Sequence, residues 1–311
     1  MPAAAGGGAR PFWSTVKGYV ALTKPRIIEL LLVTTLPTMV LAARGWPSLW
    51  LMAATLVGGA MSAGAANTFN MWYDRDIDAV MKRTRNRPLV TGAVSVRGAL
   101  IFGWVLTVAS TAWFGWVVGS WLAAGLSVAA IAGYAVGYTM LLKRHTSQNI
   151  VWGGAAGCMP VLIGWAAVTH SLAWTPVLLF LIIFFWTPPH YWPLSLRFRG
   201  DYEAAEVPML PVVASATRVA VETMIYAVAM VATTVVLIPV AGMTWVYAGV
   251  AVAAGVWFGA GTVRMFVRVR RGERRLGEMK LFRDSITYLT VVFAAILADP
   301  FWPDALSIWQ G

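Results

Sequence analysis

One stretch decides the fold: residues 50–73 read WLMAATLVGGAMSAGAANTFNMWY, and residues 74–78 continue without a break as DRDID. The first part carries no charged side chain and is long enough to cross a bilayer as a helix, which needs about 20 apolar residues. Three aspartates within five residues cannot follow it into hydrocarbon, so Tyr73 and Asp74 mark the membrane edge. Along a helix, positions i, i+4 and i+8 drift by only about 40° per step. Asn70, Asp74 and Asp78 therefore share one face, and Asp76 points away.

The same long apolar pattern recurs along the chain. Nine runs qualify, at 27–43, 50–73, 98–117, 120–142, 149–168, 173–190, 217–239, 243–263 and 282–301, several interrupted by Pro37, Pro160, Pro188 or Pro189. Of the 311 residues, 59% are hydrophobic and only 12% charged. Soluble domains carry about 25% charged residues, so a soluble enzyme and a disordered chain are both excluded. The expected fold is all-α: a polytopic membrane protein of nine transmembrane helices. Residues 1–15 read as a flexible tail and 16–311 as one transmembrane domain, a pseudo-repeat of four-span halves plus a ninth span. The single cysteine, Cys158, rules out an internal disulfide and a thiolate zinc site.

A net charge of +11 sits on this apolar chain. With nine spans, all of the 24 Lys and Arg except Arg44 fall in loops on one face of the membrane. The positive-inside rule makes that face cytoplasmic. The expected location is the cell membrane, with the N-terminus inside and the C-terminus outside. Topology thus accounts for the basic excess, and no nucleic-acid partner is called for.

Only 13 carboxylates are present, and six crowd into two of these loops: Asp74, Asp76 and Asp78, then Asp201, Glu203 and Glu206 four spans later. Oxygen donors in a line at a membrane surface suit Mg²⁺, which one or two carboxylates hold together with substrate phosphates. Neighbouring arginines bind phosphate bidentately. A solvated loop of Asp–Arg pairs is the plainer alternative, but recurrence on the same face, one half-repeat later, favours a single site built from two loops. Such a site suits a lipid diphosphate. An allylic diphosphate polarised by Mg²⁺ can ionise, and rings such as Tyr134, Tyr138, Trp186, Tyr191, Trp192 and Tyr202 can shelter the cation, although many of the 17 Trp and 9 Tyr belong to the interfacial belt. A transporter would place its ionisable residues near the bilayer midplane, not at span ends.

The Asn-x₃-Asp-x₃-Asp pattern at Asn70, Asp74 and Asp78 resembles the signature of the intramembrane aromatic prenyltransferases. The chain is most similar to their protohaem IX farnesyltransferase branch. The likeness runs from Leu22-Thr-Lys-Pro-Arg26 through Arg83-Thr-Arg-Asn-Arg-Pro-Leu89 and Trp186-Thr-Pro-Pro-His190 to Pro208-Met-Leu-Pro211 and Ser285-Ile-Thr-Tyr-Leu289. This resemblance implies helices around a central cavity capped by the acidic loops. It implies farnesyl diphosphate and haem b as substrates and haem O, for terminal oxidase biogenesis, as product. A downstream haem-oxidising membrane enzyme would be a further partner. Asn70, Asp74, Asp78 and Asp201 become Mg²⁺–diphosphate residues, and Lys24, Arg26, Lys82, Arg83, Arg87, Lys143 and Arg144 candidate phosphate or propionate contacts. His190, with Trp186 and Tyr191, becomes a candidate haem contact; otherwise His190 bonds a carbonyl freed by Pro188 and Pro189. The second acidic loop departs from the pattern, with Ala205 where a second aspartate belongs and Glu206 next to it. Five residues turn about 140° on a helix, so Glu206 joins Asp201 at a metal only if the loop is irregular. A quinone precursor or another tetrapyrrole as acceptor would share the acidic signature.

The nine-span reading predicts that impermeant labelling finds tags at the two termini on opposite faces of the membrane; both on one face would contradict it.

Overall fold

The computed structural model describes residues 12–302, and of residue 12 and residues 26–32 only the backbone path. Its elements are helices. A short one, α1 (Phe12–Leu22), precedes the first span and lies partly in the stretch read as a tail. The long helices are α2 (Pro25–Ala43), α3 (Leu49–Tyr73), α5 (Val96–Ala112), α6 (Trp121–Ala132), α7 (Asn149–Thr169), α8 (Trp174–Arg197), α11 (Ala216–Ala241), α12 (Trp245–Arg270) and α13 (Glu278–Ala298). Between them lie α4 (Arg75–Val80), α9 (Arg199–Ala204) and α10 (Leu210–Val213). Among the described residues, eight of the long helices are long and apolar enough to cross a membrane; α2, with 19 residues, takes the place of the first expected span.

The helix starts follow directly from the sequence. Ser48, Ser95, Ser120, Ser215 and Thr244 each accept a hydrogen bond from the backbone N–H three residues on, opening α3, α5, α6, α11 and α12. This satisfies donors that a helix N-terminus otherwise leaves bare. The prolines do not interrupt the spans. Pro188, Pro189 and Pro193 lie inside α8, which runs on to Arg197 instead of stopping near residue 190. Neighbouring helices α7, α11 and α13 pack along it, and a bilayer offers no water to reward unwinding. Two π-helical segments were not foreseen: Trp113–Val117 extends α5 and Gly133–Leu142 extends α6.

Packing divides along the bundle. Leu179, Ile182, Met230, Leu237, Phe258 and Phe293 form the core joining α8, α11, α12 and α13. Phe114, Ala123, Ala124 and Ala166 join α5 to α6 and α7. At the end that carries the acidic loops, Ile77 and Met81 pack against Tyr202, Ala205, Val207 and Met209. That cluster seats the first acidic loop against the second. α1 closes the same end, with Leu22 buried among Met71, Leu89, Val94 and Ala99.

Candidate active site

Asp74 is the junction of α3 and α4, and the helical path continues through it. Its N–H donates to Asn70 O at 2.9 Å, and the Asp78 N–H donates to Asp74 O at 2.9 Å. The i, i+4 register therefore survives the change of element. Asn70, Asp74 and Asp78 are 3%, 0% and 2% exposed, whereas the Asp76 side chain is 60% exposed.

Four cations converge on this line. Lys143 Nζ pairs with Asp74 Oδ2, and Arg144 Nη2 lies 3.5 Å from Asp74 Oδ1. Arg87 Nη1 lies 2.6 Å from Asp78 Oδ2, and Lys24 Nζ donates to Asn70 Oδ1 at 3.0 Å. Asn70 completes the chain by donating from Nδ2 to Asp74 Oδ2 at 2.7 Å and to Thr139 Oγ1 at 3.2 Å. Outside the buried line, Arg144 grips Asp76 with two hydrogen bonds of 2.7 and 2.8 Å and rests over the Tyr73 ring, 5.0 Å from its centroid. The Asp76 carboxyl is lowered to about 2, chiefly by the hydrogen bonds from Arg144. The Lys24 ammonium is lowered to about 7, first by burial and then by the nearby charges of Arg87 and Lys143.

The π segment of α6 delivers two of these cations. The Lys143 N–H donates to Tyr138 O, five residues back, at 2.8 Å, so the wider turn persists to the end of the span. The Thr139 side chain also reaches five residues back, its Oγ1 donating to Tyr134 O at 2.8 Å. Asn149 Nδ2 donates to Lys143 O at 3.1 Å and ties down the turn after it. Lys24 is placed by a left-handed backbone at φ 52° just before Pro25 of α2, and Asn67 Nδ2 donates to Thr23 O at 3.2 Å.

Below Asn70 an apolar cavity of about 150 Å³ opens among α2, α3, α6 and α7. On α3 it is walled by Asn67, Ala66, Ala63, Ser62, Gly59 and Thr55, with Tyr134 and Pro160 opposite. Asn67 to Thr55 is about 18 Å of helix rise. A Cβ at Gly59 meets nothing within 4 Å, so this position opens onto free space. Tyr134 links cavity to acidic line: its ring lies 5.4 Å from that of Tyr138, whose electrostatic neighbours are Tyr134, Tyr191, Tyr202 and Asp74. Burial raises the Tyr202 hydroxyl to about 12.

The other residues singled out from the sequence divide. Asp201, in the first turn of α9, is half-buried, and its neighbour Tyr202 lies beside Arg83. Glu206 follows α9 in a left-handed conformation, φ 53°, and is exposed while Ala205 is buried. Lys82 is exposed and forms no ion pair among the described residues. The side chain of Arg26 lies outside the described residues. His190 does not take a carbonyl freed by the prolines; its Nδ1 meets Ser285 Oγ at 2.8 Å, with Trp186 stacked on its ring and Tyr191 edge-on. Trp192 is buried beside Val151, Leu210 and Val219 and packs edge-on against Tyr226. Thr139 was missed, since an isolated hydroxyl residue inside an apolar span carries no signal of its own; Ser285 stands in the Ser285–Leu289 block, which by itself assigns it no role.

The donor set suits Mg²⁺. Asn70, Asp74 and Asp78 offer oxygens on one face, and the buried Asp74 Oδ1 accepts no hydrogen bond. Among the described residues no three His, Cys, Asp or Glu side chains form a metal cage on their own.

An acidic line at the mouth of an apolar intramembrane cavity defines a class, and residues 31–283 match the UbiA prenyltransferase family. The chain belongs to that family and is a multi-pass membrane protein. It is 58% identical over 288 residues to the protoheme IX farnesyltransferase of Leifsonia xyli subsp. xyli, covering 93% of each chain. It is 57% identical to that of Clavibacter michiganensis subsp. michiganensis, over 92% of this chain and 93% of the relative. Among solved structures, digeranylgeranylglyceryl phosphate synthase superposes with a TM-score of 0.76 at 14% identity, covering 92% of this chain and 98% of that one. A UbiA homologue from Archaeoglobus fulgidus bound to GPP and Mg²⁺ superposes with a TM-score of 0.59 at 18% identity, covering 90% and 99%.

Truncating Asp74 leaves Lys143 and Arg144 facing a buried gap, whereas Asp76 is solvated. Asp74→Ala should therefore cost roughly 3–5 kcal/mol and Asp76→Ala under about 1 kcal/mol, read by thermal unfolding in detergent; equal losses would contradict the burial argument.

Proposed function

We propose that this chain transfers the farnesyl group of farnesyl diphosphate to a vinyl group of haem b, with addition of water, giving haem O. The observation that carries the reading is the buried line Asn70–Asp74–Asp78, held by four cations above an apolar cavity. The names of the close relatives supply the acceptor. In this reading Asn70, Asp74, Asp78 and Asp201 hold Mg²⁺, with Glu206 a further ligand only if its loop turns inward. When bound, the metal supplies a Lewis acid on the diphosphate oxygens.

The rest of the chemistry falls to the chain itself. Lys24, Arg87, Lys143 and Arg144 bind the diphosphate and offset the charge it gains as the allylic C–O bond breaks. Arg26, Lys82 and Arg83 extend the basic rim. The farnesyl tail lies in the cavity along α3, where few polar atoms meet it. The faces of Tyr134, Tyr138, Tyr191 and Tyr202 shelter the allylic cation from water. The vinyl π pair of haem b forms the new C–C bond. The resulting cation beside the pyrrole takes up water and releases a proton, giving the hydroxyethylfarnesyl chain. His190, Trp186 and Tyr191 orient the haem.

In the same reading the acidic-loop end faces the cytoplasm, where soluble Mg²⁺ and diphosphate are found. The apolar product stays in the cell membrane, and its consumer is a membrane enzyme that oxidises the haem further.

Membranes holding the protein should convert haem b and farnesyl diphosphate to haem O with Mg²⁺ and lose this conversion with EDTA, followed by pigment extraction and mass spectrometry. Asp74→Ala and Asp201→Ala should each lower turnover at least about 100-fold, with Asp76→Ala retaining most of it. Haem b returned unmodified while a hydroxybenzoate or naphthoate is prenylated would overturn the acceptor. A second expectation concerns the tail. Gly59→Leu fills the cavity wall and should shift kcat/KM from farnesyl toward geranyl diphosphate by about tenfold; an unchanged ratio would place the tail elsewhere.

A further inference from the structure

His190 on α8 is held on three sides. The Trp186 ring covers one face at 4.1 Å and 17°, and the Phe282 ring of α13 stacks against it at 4.5 Å and 29°. At the ring edge Nδ1 lies 2.8 Å from Ser285 Oγ. The backbone under this contact is locked, because Trp186 Nε1 donates to Ser285 O at 2.7 Å. Two helices whose residues lie 95 positions apart thus converge on one imidazole.

The hydrogen positions follow from the heavy atoms. Ser285 Oγ lies 2.6 Å from the carbonyl oxygen of Phe282. Two oxygens at that separation need a proton between them, and a carbonyl has none to give. The Ser285 hydroxyl therefore donates to Phe282 O. With its one proton engaged, Ser285 Oγ meets His190 only as an acceptor, so Nδ1 carries the ring proton. In the neutral imidazole the lone pair is then on Nε2. Among the described residues Nε2 has no hydrogen-bond partner, so the lone pair there is not engaged by them.

A histidine that donates through one nitrogen and presents the other bare is prepared to bind a metal. We propose that Ser285 is a positioning residue for the haem substrate: by accepting the Nδ1 proton it fixes the His190 tautomer and aims Nε2 at the haem iron. This rests on the reading of haem b as acceptor with His190 as its contact. Trp186 and Phe282 prevent the imidazole from turning, so an iron bound at Nε2 has a set direction from α8. The hydrogen bond to Ser285 also raises the electron density that Nε2 offers the metal. A purely structural Ser285 would leave that electronic effect out.

Resonance Raman spectroscopy of the ferrous haem b complex, with the purified full chain in detergent, reads this directly through the iron–histidine stretch. His190→Ala should abolish the band. Ser285→Ala should keep the band but move it to lower frequency, because Nδ1–H loses its acceptor, and Ser285→Thr, which retains a hydroxyl, should restore it. Should Ser285→Ala fail to fold, Ser285→Cys replaces it, and its weaker acceptor should give a smaller shift in the same direction. An unshifted band in Ser285→Ala or Ser285→Cys overturns the role of Ser285 and leaves His190 as ligand. A band that survives in His190→Ala overturns the iron contact, and the inference with it.

Discussion

The structure is organised around a carboxylate withdrawn from water. Asp74 is fully buried where a transmembrane helix meets the membrane edge, and an isolated charge there would cost several kcal/mol. It is tolerated because Lys143, Arg144 and Asn70 all reach it. These partners come from α3 itself and from the far end of α6, so satisfying one charge joins two spans that are distant in sequence. A buried pair of this kind is poor evidence for stability, since apolar residues of equal volume pack about as well or better. The line of charges is better explained by a ligand than by the fold.

Its consequences spread outward. To bring Lys143 and Arg144 over Asp74, α6 abandons the regular turn at Gly133 and continues as a π-helix. The same stretch places Thr139 against Asn70 and puts Tyr134 in the cavity wall, with the Tyr138 ring beside it. Arg87 must return to Asp78, so the loop after α4 folds back on itself, with Thr84 donating to Asp78 O at 3.0 Å. Ile77 and Met81 then turn outward from the acidic face and become the surface on which the second loop closes. Charge pairing and loop closure are thus two faces of one short helix.

Much of this was legible in the sequence, and the boundary has physical causes. The shared face of Asn70, Asp74 and Asp78 follows from a 3.6-residue period, which holds because the backbone bonds continue through Asp74. The spans follow from length and charge placement. The π turns were hidden because any periodicity argument assumes a regular helix. The prolines of α8 suggested breaks only because their effect depends on neighbours the sequence does not show. Thr139 and Ser285 act through partners 69 and 95 residues away, beyond any local pattern. Glu206 lies between these cases: helix arithmetic separates it from Asp201, and the chain turns there through a left-handed residue that leaves Glu206 exposed.

On the proposed reading, the bundle offers different sides to two unlike substrates. The cavity beneath Asn70 is walled by α2, α3, α6 and α7, whereas His190 is cradled between α8 and α13. Tyr191, the next residue, packs on the cluster that joins the two acidic loops and is an electrostatic neighbour of Tyr138. One helical step on α8 therefore separates the His190 imidazole from the ring cluster beside the acidic line. On the proposed reading, this adjacency carries the specificity of the reaction. The acidic line can serve any allylic diphosphate, and the acceptor is chosen by what α8 and α13 hold next to it. A change of acceptor within this fold would then be sought at Trp186, His190, Phe282 and Ser285, with Asn70, Asp74 and Asp78 left as they are.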